Sequence, residues 1–263
     1  MNKTGYSLPA RALRRGRKAL AFAAMAMLLA ACQTSNHRAD PMTTGSTTPV
    51  PSLKAMAAAR NAWERNPRDI RLGLAYANQL KALEQTGQQL AVLKRLTGYH
   101  PKDMSLRAHY GRSLLKAGRP IQAENAFRAM IRDGQGDWKT YNALGAALAE
   151  QGRYGEAREQ YGLSLKQSPN NPEIINNIAM SFILEGNPAR AETLLRQAMR
   201  FSRGRHAQRL RQNLALAVGL QGRFKEARYI ASQDLSPAEV AANMAYLKRM
   251  LGSANTWDKL KNG

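Results

Sequence analysis

Gly118, Gly152, Gly186 and Gly222 recur at intervals of 34, 34 and 36 residues, and each is followed five residues later by an alanine: Ala123, Ala157, Ala191 and Ala227. Each glycine closes one apolar-periodic stretch and opens another. A period of this length means helix-turn-helix units. One such unit cannot bury its own apolar face and gains a core only by stacking on its neighbours. The predicted fold is all-α, and its asset is a long surface for holding other proteins rather than a closed pocket.

The clearest unit runs from Trp138 to Asn171. Tyr141, Leu144, Gly145 and Leu148 make a helical stripe at i, i+3, i+4 and i+7. After Gly152, Tyr154, Ala157, Tyr161 and Ser164 line a second helix that Ser168-Pro169 ends. The preceding unit aligns as Tyr110, Gly111, Leu114, Gly118, Ala123, Phe127 and Met130; the following one as Ile178, Ala179, Phe182, Gly186, Ala191, Leu195 and Ala198. A further unit gives Leu214, Ala215, Val218, Gly222, Phe224 and Ala227. The first unit carries Tyr76, Ala77, Leu80, Leu93 and Leu96 in register but has Glu84 and Gln89 where glycine and alanine stand elsewhere.

Gly111 and Gly145 fall mid-helix, where glycine costs about 0.5–1 kcal/mol relative to alanine. Repeated one period apart, that cost predicts close backbone approach between paired helices. Pro120 and Pro188 follow the turn glycines by two residues, at first-turn positions that tolerate proline. Residues 52–65 read as a helix before the repeats, with Leu53, Met56 and Trp63 on one side. Ser236-Pro237-Ala238-Glu239 is a capping-box start for a closing helix that carries Val240, Met244, Leu247 and Leu251.

Over roughly residues 70–241 this pattern resembles the tetratricopeptide repeat family. The resemblance implies a right-handed solenoid of about five helix-turn-helix repeats with terminal capping helices, spanning residues 52–252. It also implies ligand contacts on first-helix residues that point away from the second helix. Carried over, these are Asn78, His109, Arg112, Asn142, Asn176, Asn177, Arg209 and Asn213, with the asparagines set to hydrogen-bond the backbone of an extended peptide. The Lys, Asn and Arg set of the family's carboxylate-clamp members is incomplete here, so a C-terminal-carboxylate ligand is not implied.

Residues 1–18 carry Lys3, Arg11, Arg14, Arg15, Arg17 and Lys18 with no acid, and the apolar run Ala19 to Ala31 follows. That is a positive n-region and an h-region too short for a comfortable membrane span. The run ends in Leu29-Ala30-Ala31-Cys32, and Cys32 is the chain's one cysteine. The tetrapeptide resembles the bacterial lipoprotein signal, which implies cleavage after residue 31, lipid on Cys32 and membrane anchoring through it; an ordinary signal with an incidental cysteine is the alternative. Gln33, which is not the aspartate of inner-membrane retention, favours the periplasmic face of the outer membrane. Residues 32–51, rich in Ser, Thr and Pro, read as a flexible tether, and residues 253–263 as a frayed tail.

The formal net charge is +22, and removal of the first eighteen residues leaves +16. The basic residues are scattered apart from Arg196, Arg200, Arg203, Arg205, Arg209 and Arg211. No groove-reading motif accompanies them, so no nucleic-acid partner is expected. Two readings stay open: a solvated basic face, or attraction to an acidic partner, anionic envelope lipids or peptidoglycan. The histidines His37, His100, His109 and His206 lack metal-ligand spacing, and there is no phosphate loop or nucleophile elbow. Neither catalysis, a cofactor nor a metal is expected.

The segment Asn213-Leu-Ala-Leu-Ala-Val-Gly-Leu-Gln-Gly-Arg-Phe-Lys-Glu-Ala-Arg228, with Asp234-Leu-Ser-Pro-Ala-Glu-Val-Ala-Ala-Asn243 and Met244-Ala-Tyr-Leu-Lys-Arg-Met-Leu251 downstream, narrows the field. With the lipoprotein signal it resembles the TadD-type repeat lipoproteins of tight-adherence (Flp) pilus systems. That resemblance implies an outer-membrane accessory whose protein partner is a secretin or another pilus-assembly component. A general lipoprotein adaptor for cell-wall or outer-membrane protein assembly is the alternative.

Overall fold

The computed structural model describes residues 52–252. The signal segment, Cys32, the Ser/Thr/Pro-rich tether and the tail at 253–263 lie outside the described residues. Within them the chain is all-helical, with twelve helices and no strand. They are α1 (Leu53–Arg65), α2 (Ile70–Ala82), α3 (Thr86–Tyr99), α4 (Met104–Lys116), α5 (Pro120–Arg132), α6 (Trp138–Glu150), α7 (Tyr154–Gln167), α8 (Pro172–Leu184), α9 (Pro188–Met199), α10 (Gly204–Leu220), α11 (Phe224–Ala231) and α12 (Pro237–Gly252). Helices α2 to α11 form five consecutive pairs. Each helix packs on the next in chain order, and first helices α6, α8 and α10 also touch one another in sequence.

The turn inside each pair is one hydrogen-bonded motif used five times. Its left-handed residue is Gly118, Gly152, Gly186 or Gly222, with φ of 66°, 75°, 91° and 80°. The residue after it donates its N–H five residues back: Arg119 to Leu114 O, Arg153 to Leu148 O, Asn187 to Phe182 O and Arg223 to Val218 O. This is the Schellman closure, which satisfies carbonyls the helix end would otherwise leave without a donor. In the first repeat Glu84 adopts the same conformation at φ 58°, and Gln85 N–H donates to Leu80 O. The turn geometry therefore survives the loss of its glycine, at the steric cost a Cβ carries there.

Glycines inside the helices make room for rings. A Cβ on Gly111 would lie 2.6 Å from two Phe127 ring carbons, and one on Gly145 would lie 2.5 Å from Tyr161 Cε1. The close approach predicted at these positions is thus side chain onto backbone, an aromatic face from the second helix seated on the first. Where the first-helix position is Ala77 or Ala179, the second-helix position one register along is Leu93 or Leu195. Small takes large, and all these residues are buried. In the first half of the stack one core cluster includes Trp63, Tyr76, Leu80 and Leu96 and another includes Phe127, Leu144, Leu148 and Tyr161, with Tyr110 packed against both.

Both ends carry an extra helix. The Trp63 ring of α1 lies 5.7 Å from Tyr76, and its Nε1–H donates to Pro67 O. At the other end α12 packs on α10 and α11, with Leu247 against Gly219. Ser236 N–H donates to Glu239 Oε2 while Glu239 N–H reaches Ser236 Oγ, the reciprocal capping box.

Candidate functional site

First helices α2, α4, α6 and α8 start alike. Asp69, Asp103, Asp137 and Asn171 accept backbone N–H bonds from the opening turn. These N-caps are each worth about 1 kcal/mol. They fix where each first helix begins, and so which of its faces looks away from the second helix.

That face forms a groove of about 340 Å³ across three consecutive first helices. α4 contributes Arg112 and Leu115; α6 contributes Trp138, Lys139, Asn142, Ala143 and Ala146; α8 contributes Glu173 and Asn177. The floor is small and apolar, at Ala143 and Ala146. Leu115 and the half-buried Trp138 offer apolar surface, and exposed Arg112 and Lys139 supply positive charge. The Lys139 ammonium lies 5.6 Å over the Trp138 ring. Such a groove suits an extended chain segment that places an apolar side chain beside Trp138 and an acidic group near Arg112 and Lys139.

Of the residues expected to bind a ligand, Arg112, Asn142 and Asn177 come together here. The asparagines are not open donors. Asn177 Nδ2 donates to Asn142 Oδ1 at 2.9 Å, and Asn142 Nδ2 donates to Glu173 Oε1 at 3.0 Å. One repeat further, Asn213 Nδ2 donates to Asn176 Oδ1 at 2.6 Å. Asn142, Asn176 and Asn213 are only 5–6% exposed. Asn176 and Asn213 therefore lie in the seam between α8 and α10, and the expectation that they present amides to a peptide is corrected. A buried amide left unpaired is costly, and pairing across the seam removes that cost.

The other expected residues lie apart from this groove. Asn78 is exposed on α2, and Arg209 is exposed on α10 beside other arginines. His109 on α4 is half-buried, and its buried Nε2 has no partner. Burial lowers its pKa, and the cations Arg112, Lys81 and Lys116 lower it further, which keeps the ring neutral at neutral pH. The sequence reading missed Leu115, Trp138, Lys139, Ala143, Ala146 and Glu173. The signal was present: Lys139, Asn142, Ala143 and Ala146 form a second i, i+3, i+4, i+7 stripe on α6 beside the core stripe.

Comparison with known proteins agrees with the repeat fold. Residues 148–214 match the family model of the tetratricopeptide repeat. A TPR repeat-containing protein of Pseudomonas aeruginosa is 32% identical over 133 residues, which is 49% of this chain and 22% of the relative. The Phagocyte signaling-impaired protein of Drosophila pseudoobscura pseudoobscura is 26% identical over 121 residues, 46% of this chain and 12% of that protein. The chain therefore spans less than a quarter of either curated relative. Among solved structures, a tetratricopeptide repeat protein from Parabacteroides merdae superposes with TM-score 0.61 at 15% identity, over 74% of this chain and 77% of that one. PilW, a widely conserved type IV pilus biogenesis factor, superposes with TM-score 0.58 at 18% identity, over 73% of this chain and 90% of that one. At these identities the likeness shows the fold alone: a tetratricopeptide-repeat solenoid.

Proposed function

We propose that this chain is a lipid-anchored scaffold on the periplasmic face of the bacterial outer membrane. It holds a protein partner during assembly of a tight-adherence (Flp) pilus apparatus, and the partner is a secretin subunit. The observation that carries the binding reading is the α4/α6/α8 groove. Its walls combine an aromatic ring, two cations and small apolar residues, with the neighbouring asparagines already paired. A fold built for protein–protein contact supports it. The pilus assignment rests on the resemblance of the 213–251 segment and of the Leu-Ala-Ala-Cys signal, and PilW is an instance of the same fold serving pilus biogenesis.

In this reading the lipid on Cys32 holds the chain at the membrane, the tether sets its reach, and the groove receives an extended segment of the partner. The test is crosslinked capture of the tagged full-length protein from its native membrane, beside Trp138→Ala, Arg112→Glu and Cys32→Ser. Recovery of a secretin, lost in the groove variants, is the expected result, and Cys32→Ser should mislocalise the protein and lower its share in the outer-membrane fraction. Recovery of cell-wall or outer-membrane assembly proteins instead would replace the pilus partner. Undiminished capture by both groove variants would remove the groove from the mechanism.

A further inference from the structure

One joint between repeats departs from the others. Joints earlier in the stack are tied to one another: His100 Nε2–H donates to Arg68 O, Gln135 Nε2 to Lys102 O and Gln167 Nε2 to Gly136 O. The joint after α9 makes no such tie among the described residues. It contains Arg200, Phe201, Ser202 and Arg203, and it leads into a first helix of 17 residues where α2, α4, α6 and α8 have 13. The 36-residue step falls here. The extra N-terminal turn carries Arg205 and His206. Its N-cap is Arg203, with no side-chain cap bond, in place of the aspartate or asparagine of the other four.

The result is a cationic knuckle. No acidic residue occurs between Glu192 and Glu226, while that interval holds seven arginines and a lysine. Arg196, Arg211 and Arg223 are neutralised by Glu192, Glu226 and Asp234. Arg200, Arg203, Arg205 and Arg209 are exposed and have no ion-pair partner among the described residues, and Arg205 and Arg209 stand one turn apart on α10. The uncapped positive end of α10 adds to the same field. Amid these cations Phe201 is 45% exposed.

We propose that this knuckle docks on an anionic phospholipid bilayer. Guanidinium groups pair with lipid phosphates in bidentate fashion, and Phe201 enters the interface below them. An isolated exposed aromatic among unpaired arginines fits a surface that is anionic outside and apolar just beneath. A folded acidic protein or a nucleic acid duplex meets the charges but offers Phe201 no apolar layer just beneath them. This contact is separate from lipid on Cys32 and from the partner groove, and it does not depend on the pilus assignment.

The test uses the chain from residue 32 with Cys32→Ser, so that neither the basic, apolar segment 1–31 nor an attached lipid can hold it, and vesicles of phosphatidylcholine with or without phosphatidylglycerol. Co-sedimentation should require phosphatidylglycerol and weaken with salt. Each arginine removed should lower partitioning about fivefold. The quadruple variant R200S/R203S/R205S/R209S should abolish it. A control with the same charge loss at other exposed cations, K54S/K102S/R132S/R249S, should retain most of it. F201S should weaken binding while leaving its salt dependence unchanged. Circular dichroism reports that each variant is folded. Equal loss in the control, binding to pure phosphatidylcholine, absence of binding, or tighter binding to an oligonucleotide or polyglutamate than to the vesicles would each overturn the proposal.

Discussion

Substituting Gly145→Ala tests the packing rule that sets the spacing of the helices. The new Cβ would sit 2.5, 2.7 and 2.9 Å from Tyr161 Cε1, Cδ1 and Cζ, well inside the ~3.5–4.0 Å at which carbon atoms attract. The ring is 2% exposed and enclosed by core side chains, so it has no open side to move toward. Overpacking of this kind costs about 1–3 kcal/mol, against about 1 kcal/mol returned by alanine's helix propensity. The expected net loss is about 0–2 kcal/mol, a fall of up to about 8 °C in Tm for a chain of this size. Gly162→Ala is the internal control. It is also a helical glycine, but a Cβ there meets nothing within 4 Å, so it should stabilise by up to about 1 kcal/mol. Gly145→Ala with Tyr161→Leu recreates the Ala179/Leu195 pairing of the next repeat. A favourable coupling of about 0.5–3 kcal/mol should therefore appear in the double-mutant cycle. Urea unfolding followed by circular dichroism reads all four variants. A Gly145→Ala chain as stable as Gly162→Ala would refute the argument that the ring requires the glycine.

Glu84→Gly should stabilise by about 0.5–1 kcal/mol in thermal melts, because the residue already sits at φ 58° and glycine removes the Cβ strain. Asn213→Leu should cost about 1–3 kcal/mol by leaving buried Asn176 Oδ1 without its donor, and Asn176→Leu with it should recover most of that in urea unfolding. Glu124 provides a pH test. Burial acts to raise its carboxyl, but hydrogen bonds from Gln151, Arg128 and Arg153 outweigh that and hold it below its ordinary 4.5. A depressed folded pKa gives stability that is complete above the unfolded value and is lost as pH falls through the folded one. Stability should therefore decline below about pH 4.5, and less steeply in Glu124→Gln, in melts run from pH 7 to pH 3. A Glu124→Gln profile parallel to that of the unmodified chain would exclude the network as the source.

The repeat, its turns and its caps were legible because each is a local device. A left-handed turn selects glycine, a first turn admits proline, and Ser236 with Glu239 closes on itself. The groove was harder to read, because it depends on how one first helix is offset against the next. The seam pairs Asn142–Asn177 and Asn176–Asn213 are 35 and 37 residues apart, one more than the period at each step. One residue is about 100° around a helix, enough to move a side chain from an open face into a seam. Carrying ligand positions over repeat by repeat takes no account of that offset, and it counted Asn176 and Asn213 with the groove while passing over Trp138 and Lys139. Glu84 shows the opposite case, since stacking imposes the turn on a residue whose local preference is against it.

A chain of near-identical units has to stack them in one order, and the charges at successive interfaces distinguish them. The residue after the conserved second-helix position is Leu90, Glu124, Arg158 and Glu192 in turn. Leu90 is buried in the core cluster that includes Phe127 and Leu148. Glu124 accepts from Gln151 and Arg153, Arg158 donates to Glu185, and Glu192 accepts from Gln221 and Arg223. The sign of the interface thus alternates along the stack. Moving a second helix by one repeat would set Arg158 against Arg223, or Glu124 against Glu185. Exposed pairs of this kind add little stability, about 0–1 kcal/mol each, but the mismatched arrangement brings like charges together around a partly buried carboxylate. The short turns already tie each helix to its chain neighbour, and the charges oppose a slip as well. That fixed order keeps α4, α6 and α8 adjacent, and a groove made of one face from each exists only while they are.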